Sequence, residues 1–139
     1  MPFSYKANYE GNFDKSGIPK LDYQGNIGAQ HNPIAISQWT LGHYNLWCET
    51  DNKENYSKFI KGADWLVDNL NLNSNNVYVW HHYFDWNYKE TLVNPWYSGL
   101  AQGQGISVLV RAYQISKNQK YLESAQKAYQ SFLIDTSKG

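Results

Sequence analysis

The densest run of side chains able to do chemistry is Pro95-Trp-Tyr-Ser-Gly-Leu-Ala-Gln-Gly-Gln-Gly105. Ser98 can cap a helix there, and backbone N–H groups at a helix start attract anions, carboxylates included. Gln102 and Gln104 each offer a donor and an acceptor to sugar hydroxyls. Trp96 or Tyr97 could stack on a sugar ring. The competing reading is architectural: the glycines permit tight helix packing while the glutamines satisfy buried backbone groups. The pattern alone leaves both open.

Other candidates are weaker. His81 and His82 are adjacent in a run with Asp85 and three aromatics. Neighbours on an extended strand point to opposite faces, so they make a poor metal pair. His31 and His43 are not at ligand spacing either, and no metal site is expected. No Ser-His-Asp arrangement stands out, and the GQG within AQGQG is too short for a dinucleotide fingerprint. Arg111 is the only arginine. On a buried-looking helix it could grip a carboxylate bidentately, but a structural ion pair between helices is the preferred reading. Cys48, also single, reads as a half-buried, inert thiol near a helix end. Asp85 and Glu90 are the nearest thing to a hydrolase carboxylate pair, and a solvated loop explains both better.

Composition narrows the class. The 139 residues carry 12 Lys plus Arg and 12 Asp plus Glu, a formal charge of zero. That balance argues against a phosphate-neutralising surface and hence against nucleic acid as partner. Charged residues are 17%, below the usual ~25%, while aromatics reach 17%, with 12 Tyr and 6 Trp. Such a chain folds, and its Tyr, Trp, Asn and Gln suit a neutral-polar ligand such as carbohydrate. An aromatic-rich core would give the same composition. No signal-like apolar core or membrane-spanning run is present, so the sequence leans towards a cytoplasmic protein without settling the compartment.

The elements that must position these residues read as helices. Residues 1–32 form an extended, turn-rich arm. Asn32-Pro33 starts a helix over 33–47. Asp51 and Glu54 have capping-box spacing before a second helix over 52–70, whose Tyr56, Phe59, Ile60, Ala63, Leu66, Val67 and Leu70 mark one face. Residues 71–76 form an Asn-rich turn, and a short β-hairpin or loop follows near 77–88. Helices over 98–116 and 118–133 complete the chain, with a turn at 135–139. Gly99, Gly103 and Gly105 cost the third helix stability, so something must approach its backbone closely. Less one-sided helices alternate with amphipathic ones. The expectation is an all-α fold: two helix pairs, 33–70 and 98–133, forming an incomplete α/α toroid or solenoid domain over 33–139. Two pairs cannot close a ring, so the exposed last pair predicts self-association or a missing C-terminal half.

Three blocks, Asn32-Pro-Ile-Ala-Ile-Ser-Gln-Trp-Thr-Leu-Gly-His-Tyr44, Ala63-Asp-Trp-Leu-Val67 and Trp96-Tyr-Ser-Gly-Leu-Ala-Gln-Gly-Gln-Gly-Ile-Ser-Val-Leu-Val-Arg-Ala-Tyr113, resemble the D-glucuronyl C5-epimerase family in order and wording. Phe13-Asp-Lys-Ser-Gly-Ile-Pro19 resembles the lead-in of compact bacterial-type members. The β-rich domain that separates the first two blocks in animal heparan sulfate enzymes is absent here. The resemblance implies an α/α toroid-like catalytic domain acting on uronic acid residues of an acidic, glucuronate-containing polysaccharide. Epimerisation removes the C5 proton α to the carboxylate and returns one to the opposite face, without a cofactor.

By the same resemblance Tyr44 is the catalytic candidate, although Thr-Leu-Gly-His-Tyr stands where the family has Gly-Leu-Ser-His-Tyr. Gln38, His43, Trp96, Tyr97, Ser98, Gln102 and Gln104 are the candidate substrate contacts. The family's Glu-Tyr pair and its Tyr-Asp-x-Arg-His and Tyr-His motifs lie beyond this chain. It is therefore expected to be one portion of an epimerase, nearly inactive alone. The alternatives are a non-catalytic acidic-glycan-binding or scaffold module, or another α/α-toroid lyase or glycoside hydrolase.

Overall fold

In the computed structural model, residues 3–135 are described. The arm is more than extended chain. A 3₁₀ turn at Ser4–Ala7 precedes three short strands, β1 (Asn12–Phe13), β2 (Pro19–Asp22) and β3 (Ala29–Gln30), in one antiparallel sheet. Asp14 shapes the β1–β2 turn by accepting from Ser16 N and Ile18 N, and holds His31 Nε2 at 2.8 Å. Ile18, buried, packs with Ile36 and Trp39 and so fastens the arm to the first helix.

Helix α1 (Pro33–Thr50) begins where expected, because Asn32 Oδ1 accepts from Ile34 N and Ala35 N. It runs one turn past the expected end and stops at Asp51, whose φ of 53° breaks the helical path. Asp51 thus terminates α1 instead of starting α2. Asn52 is the cap of α2 (Lys53–Asp68), with its side chain accepting from Glu54 N and Asn55 N. The face expected for α2 is the buried one, with Phe59, Ala63 and Leu66 fully enclosed. Its Gly62 lies against Thr40 of α1, leaving no room for a larger residue.

Strands β4 (Leu70–Leu72), β5 (Tyr78–His82) and β8 (Trp96–Tyr97) form a second antiparallel sheet with β5 in the middle. Asn73 builds the β4–β5 turn, its Oδ1 accepting from Asn75 N and Val77 N. Between β5 and β8, β6 (Trp86–Asn87) pairs with β7 (Thr91–Leu92). Helix α3 (Gly99–Ser116) follows, capped by Ser98, and then α4 (Gln119–Tyr129), capped by Asn118. Beyond Tyr129 the chain tightens into a 3₁₀ turn at Gln130–Leu133.

The fold is not all-α: 53% of it is helix and 17% strand, in three antiparallel sheets. The strands escape a periodicity reading because most hold two to four residues, too few for alternation to register. Most pair locally, as Phe13 with Pro19 and Asn87 with Thr91, and only β5 with β8 skips over an intervening pair of strands. The hairpin expected within 77–88 is in fact two half-hairpins, β5 returning to β4 and β6 pairing onward with β7. The turn expected at 135–139 lies, past Asp135, outside the described residues.

The main core joins all four helices to β5 through Leu41, Phe59, Leu66, Trp80, Leu109 and Tyr121. Trp80 is its largest fully buried member. A Cβ on Gly105 would sit 2.5 Å from the Trp80 ring, so α3 approaches β5 closely because residue 105 has no side chain. Gly99 has open space around it, and Gly103 meets only Phe132. At the outer edge Tyr121 donates to Asp64 Oδ1 at 2.7 Å, where Lys120 Nζ also lies, tying α4 to α2.

Candidate functional site

The expected site residues fall into three places. Tyr44 lies in the second half of α1, half-buried against Phe59, with ring centroids 5.0 Å apart. The Arg111 guanidinium, from α3, sits 5.5 Å from the Tyr44 ring centroid. Arg111 Nη1 donates to the carbonyl and hydroxyl of Ser107, one turn earlier. No carboxylate among the described residues pairs with Arg111, so the expected structural ion pair is not what holds it. Burial pushes the Tyr44 phenol above its usual pKa; the neighbouring Cys48 thiol adds to the rise and the Arg111 charge opposes it. Cys48 is exposed, not half-buried, because the last turn of α1 extends past its packing partners.

His43 points the other way. It is buried, its Nδ1 lies 2.7 Å from Asn55 Oδ1, and its ring meets Trp39 edge-on at 4.6 Å. Burial lowers its pKa, so it is neutral at physiological pH, and its Nε2 is enclosed without a partner.

The second place is the start of α3. Gln102 is 1% exposed and its amide is fully engaged inside the fold. Its Oε1 accepts from Trp80 N at 3.0 Å, while Nε2 donates to Tyr78 O, Ala128 O and Ser131 Oγ. A primary amide offers a donor and an acceptor side by side, as a peptide unit does. Gln102 therefore continues the pairing of β5 just where β8 ends. The Ser98 hydroxyl caps α3, accepting from Leu100 N and Ala101 N. Gln104 is half-buried, with its Oε1 enclosed and unpartnered.

Trp96 belongs to a third place, an aromatic ladder that reaches the arm. One face of its indole is covered by the buried His82 imidazole, 3.7 Å away and nearly parallel. Trp96 Nε1 donates to Phe84 O at 2.7 Å. Phe84 then meets Tyr23 at 4.5 Å, and Tyr23 meets Trp86 at 5.2 Å. Tyr97 stands beside this ladder, more than a third exposed, at the edge of β8. Burial lowers the His82 pKa from 6.5 to about 4, so the ring is neutral.

Tyr23, Asn32, Ile34, Phe84, Trp86 and Trp96 line a cavity of about 230 Å³. A neighbouring cavity of about 280 Å³ shares Asn32 and Ile34 and continues past Gln38 to Lys6, Tyr9 and Trp39. Of the expected contacts, only Trp96 and Gln38 reach this double cavity. Lys6, Tyr9, Tyr23 and Trp86 escape a sequence reading because they come from separate segments with no shared spacing. Among the described residues no three His, Cys, Asp or Glu gather as metal ligands.

A family model described as D-glucuronyl C5-epimerase C-terminus matches residues 42–139. The chain belongs to this family. A D-glucuronyl C5-epimerase of Caenorhabditis elegans is 42% identical over 94 residues, which are 65% of this chain and 15% of the worm protein. The chain thus spans a small part of that relative. The C5-epimerase match contains Tyr44, Arg111 and the whole of α2 to α4. It leaves out the arm and the first half of α1, and with them Lys6, Tyr9, Tyr23, Asn32 and Gln38.

Proposed function

We propose that this chain supplies part of the catalytic site of an enzyme that inverts C5 of uronic acid residues in an acidic polysaccharide. The observation that carries the reading is the guanidinium of Arg111, free of any carboxylate among the described residues, set against the ring of Tyr44. Removing the C5 proton leaves an electron pair that delocalises into the adjacent carboxylate, which gains negative charge as the C5–H bond breaks. A fixed guanidinium neutralises that charge where it develops, with less cost than water reorganising around it. The Arg111 N–H groups not bonded to Ser107 are available for this contact.

Tyr44 suits the returning half of the reaction. Its phenol is protonated at neutral pH, as an ordinary tyrosine's is, and burial raises its pKa further. It can then deliver a proton to C5 on one face, after a base on the other has taken the original proton. That base is not identified among the described residues, and the reaction as written needs no redox cofactor.

The test is solvent-deuterium incorporation at C5 of a glucuronate-containing oligosaccharide, read by NMR, with the wild-type chain, Tyr44→Phe and Arg111→Gln. Exchange in the wild type that both substitutions abolish is the expected result if the chain holds enough of the site. Exchange that survives both would overturn the roles given to these residues. Binding without exchange fits a partial epimerase site if the signals around Tyr44 and Arg111 move, and favours a second reading, a glycan-binding module, if only those of the aromatic double cavity do.

A further inference from the structure

We propose that the double cavity at the start of α1 is a subsite for an acidic sugar residue of the polymer, distinct from the Tyr44–Arg111 pair. The inference rests on the uronate reading above and adds Lys6, Tyr23, Asn32 and Gln38, outside the family match, to Trp86 and Trp96 inside it. Its two halves, of about 280 and 230 Å³, share Asn32 and Ile34 in their linings, so they adjoin, and each lies just under the lower end of small-ligand sites, about 300–1,000 Å³. Tyr23, Trp86 and Trp96 supply ring surfaces at one end. Sugar rings carry C–H groups on their flatter faces, and the negative π face of an aromatic ring attracts them.

Gln38 and Lys6 supply polar groups at the other end. Lys6 is the one charged residue among those lining the two halves, and its ammonium lies 5.2 Å from the exposed Tyr5 ring with no carboxylate partner among the described residues. A lone cation in an otherwise neutral, aromatic cavity matches a ligand that is sugar-like and singly negative. The helix start itself is not the anion site, because Asn32 already caps it and also donates to the Tyr23 hydroxyl at 2.6 Å. That last bond locks the Tyr23 ring beside the helix and pre-shapes the cavity before any sugar arrives.

The experiment is an NMR titration of the chain with a glucuronate-containing disaccharide and with its carboxyl-reduced, neutral counterpart. The readout is the indole N–H signals of Trp86 and Trp96. Both should shift with the acidic sugar, and the reduced sugar should bind about threefold more weakly, the scale of a partly exposed charge contact. Lys6→Met should equalise the two sugars while the far-ultraviolet circular dichroism stays unchanged. Still indoles, with shifts confined to signals around Tyr44 and Arg111, would overturn the subsite and leave the uronate reading standing. A preference for the acid that survives Lys6→Met would also overturn it. If neither region responds to either sugar, the subsite and the uronate reading both fall.

Discussion

Two regions of this molecule are made from the same chemistry, indoles and primary amides, and put it to opposite uses. At the start of α3, Trp80 is fully enclosed, its Nε1 donates to Leu66 O at 2.7 Å, and Gln102 holds the edge of β5. At the start of α1, Trp86 and Trp96 are only half-buried and line a cavity with Asn32. Residue type does not separate the two. What separates them is enclosure. Trp80 and Gln102 are shut inside the fold, whereas Trp86 and Trp96 keep part of their ring surface open to a cavity, although Trp96 Nε1 and the Asn32 amide are bonded within the protein there too.

The sharpest way to break the contrast is to truncate the enclosed indole. Trp80→Ala should cost about 3–5 kcal/mol, because the removed ring fills the space that Gly105 leaves on α3. Urea unfolding would show it as a large fall in midpoint. A loss under 1 kcal/mol would mean that the α3–β5 contact is looser than its geometry indicates. Next in size is Gln102→Leu, at about 1–3 kcal/mol, since the Trp80 N–H and the Tyr78 and Ala128 carbonyls would be left buried without this partner. Its effect should fall on stability, with Trp86 and Trp96 keeping their response to the sugar.

A smaller effect comes from acid. His82 is held neutral in the folded chain, with its pKa lowered from 6.5 to about 4 by burial. Between those values the unfolded chain binds more protons than the folded one, so falling pH favours unfolding. Stability should be full above pH 6.5 and fall progressively as pH drops from there to about 4. His82→Phe, which keeps an aromatic surface under Trp96, should flatten that part of the profile. An unchanged slope in this variant would assign the acid sensitivity to other groups.

The helices were legible because each begins with a side chain that caps it: Asn32, Asn52, Ser98 and Asn118. The misplaced start of α2 shows how fine that signal is. Asp51 and Asn52 are both good caps, and only the left-handed turn at Asp51 decides between them. The strands were not legible, being too short for alternation to register. Nor was the pairing of Tyr44 with Arg111, two helices apart, or the ladder from His82 to Trp86. Those juxtapositions arise from packing, which no local spacing encodes.

The smallest stability change should come from the open region, and it is the most informative. Trp86 is half-buried in a two-residue strand, and its ring contact here is edge-on to Tyr23. Trp86→Ala should therefore cost only about 1 kcal/mol, a few degrees in Tm for a chain of this size. Binding of the glucuronate disaccharide, followed at the Trp96 indole, should nonetheless fall severalfold, because a ring surface of the cavity is gone. Trp80→Ala would also lower binding, but only as far as it unfolds the protein. The two variants thus separate surface from scaffold: one should lose ligand while staying folded, and the other should lose both together. If Trp86→Ala instead proves as damaging to stability as Trp80→Ala, the ladder is core, and the cavity beside it is a packing gap.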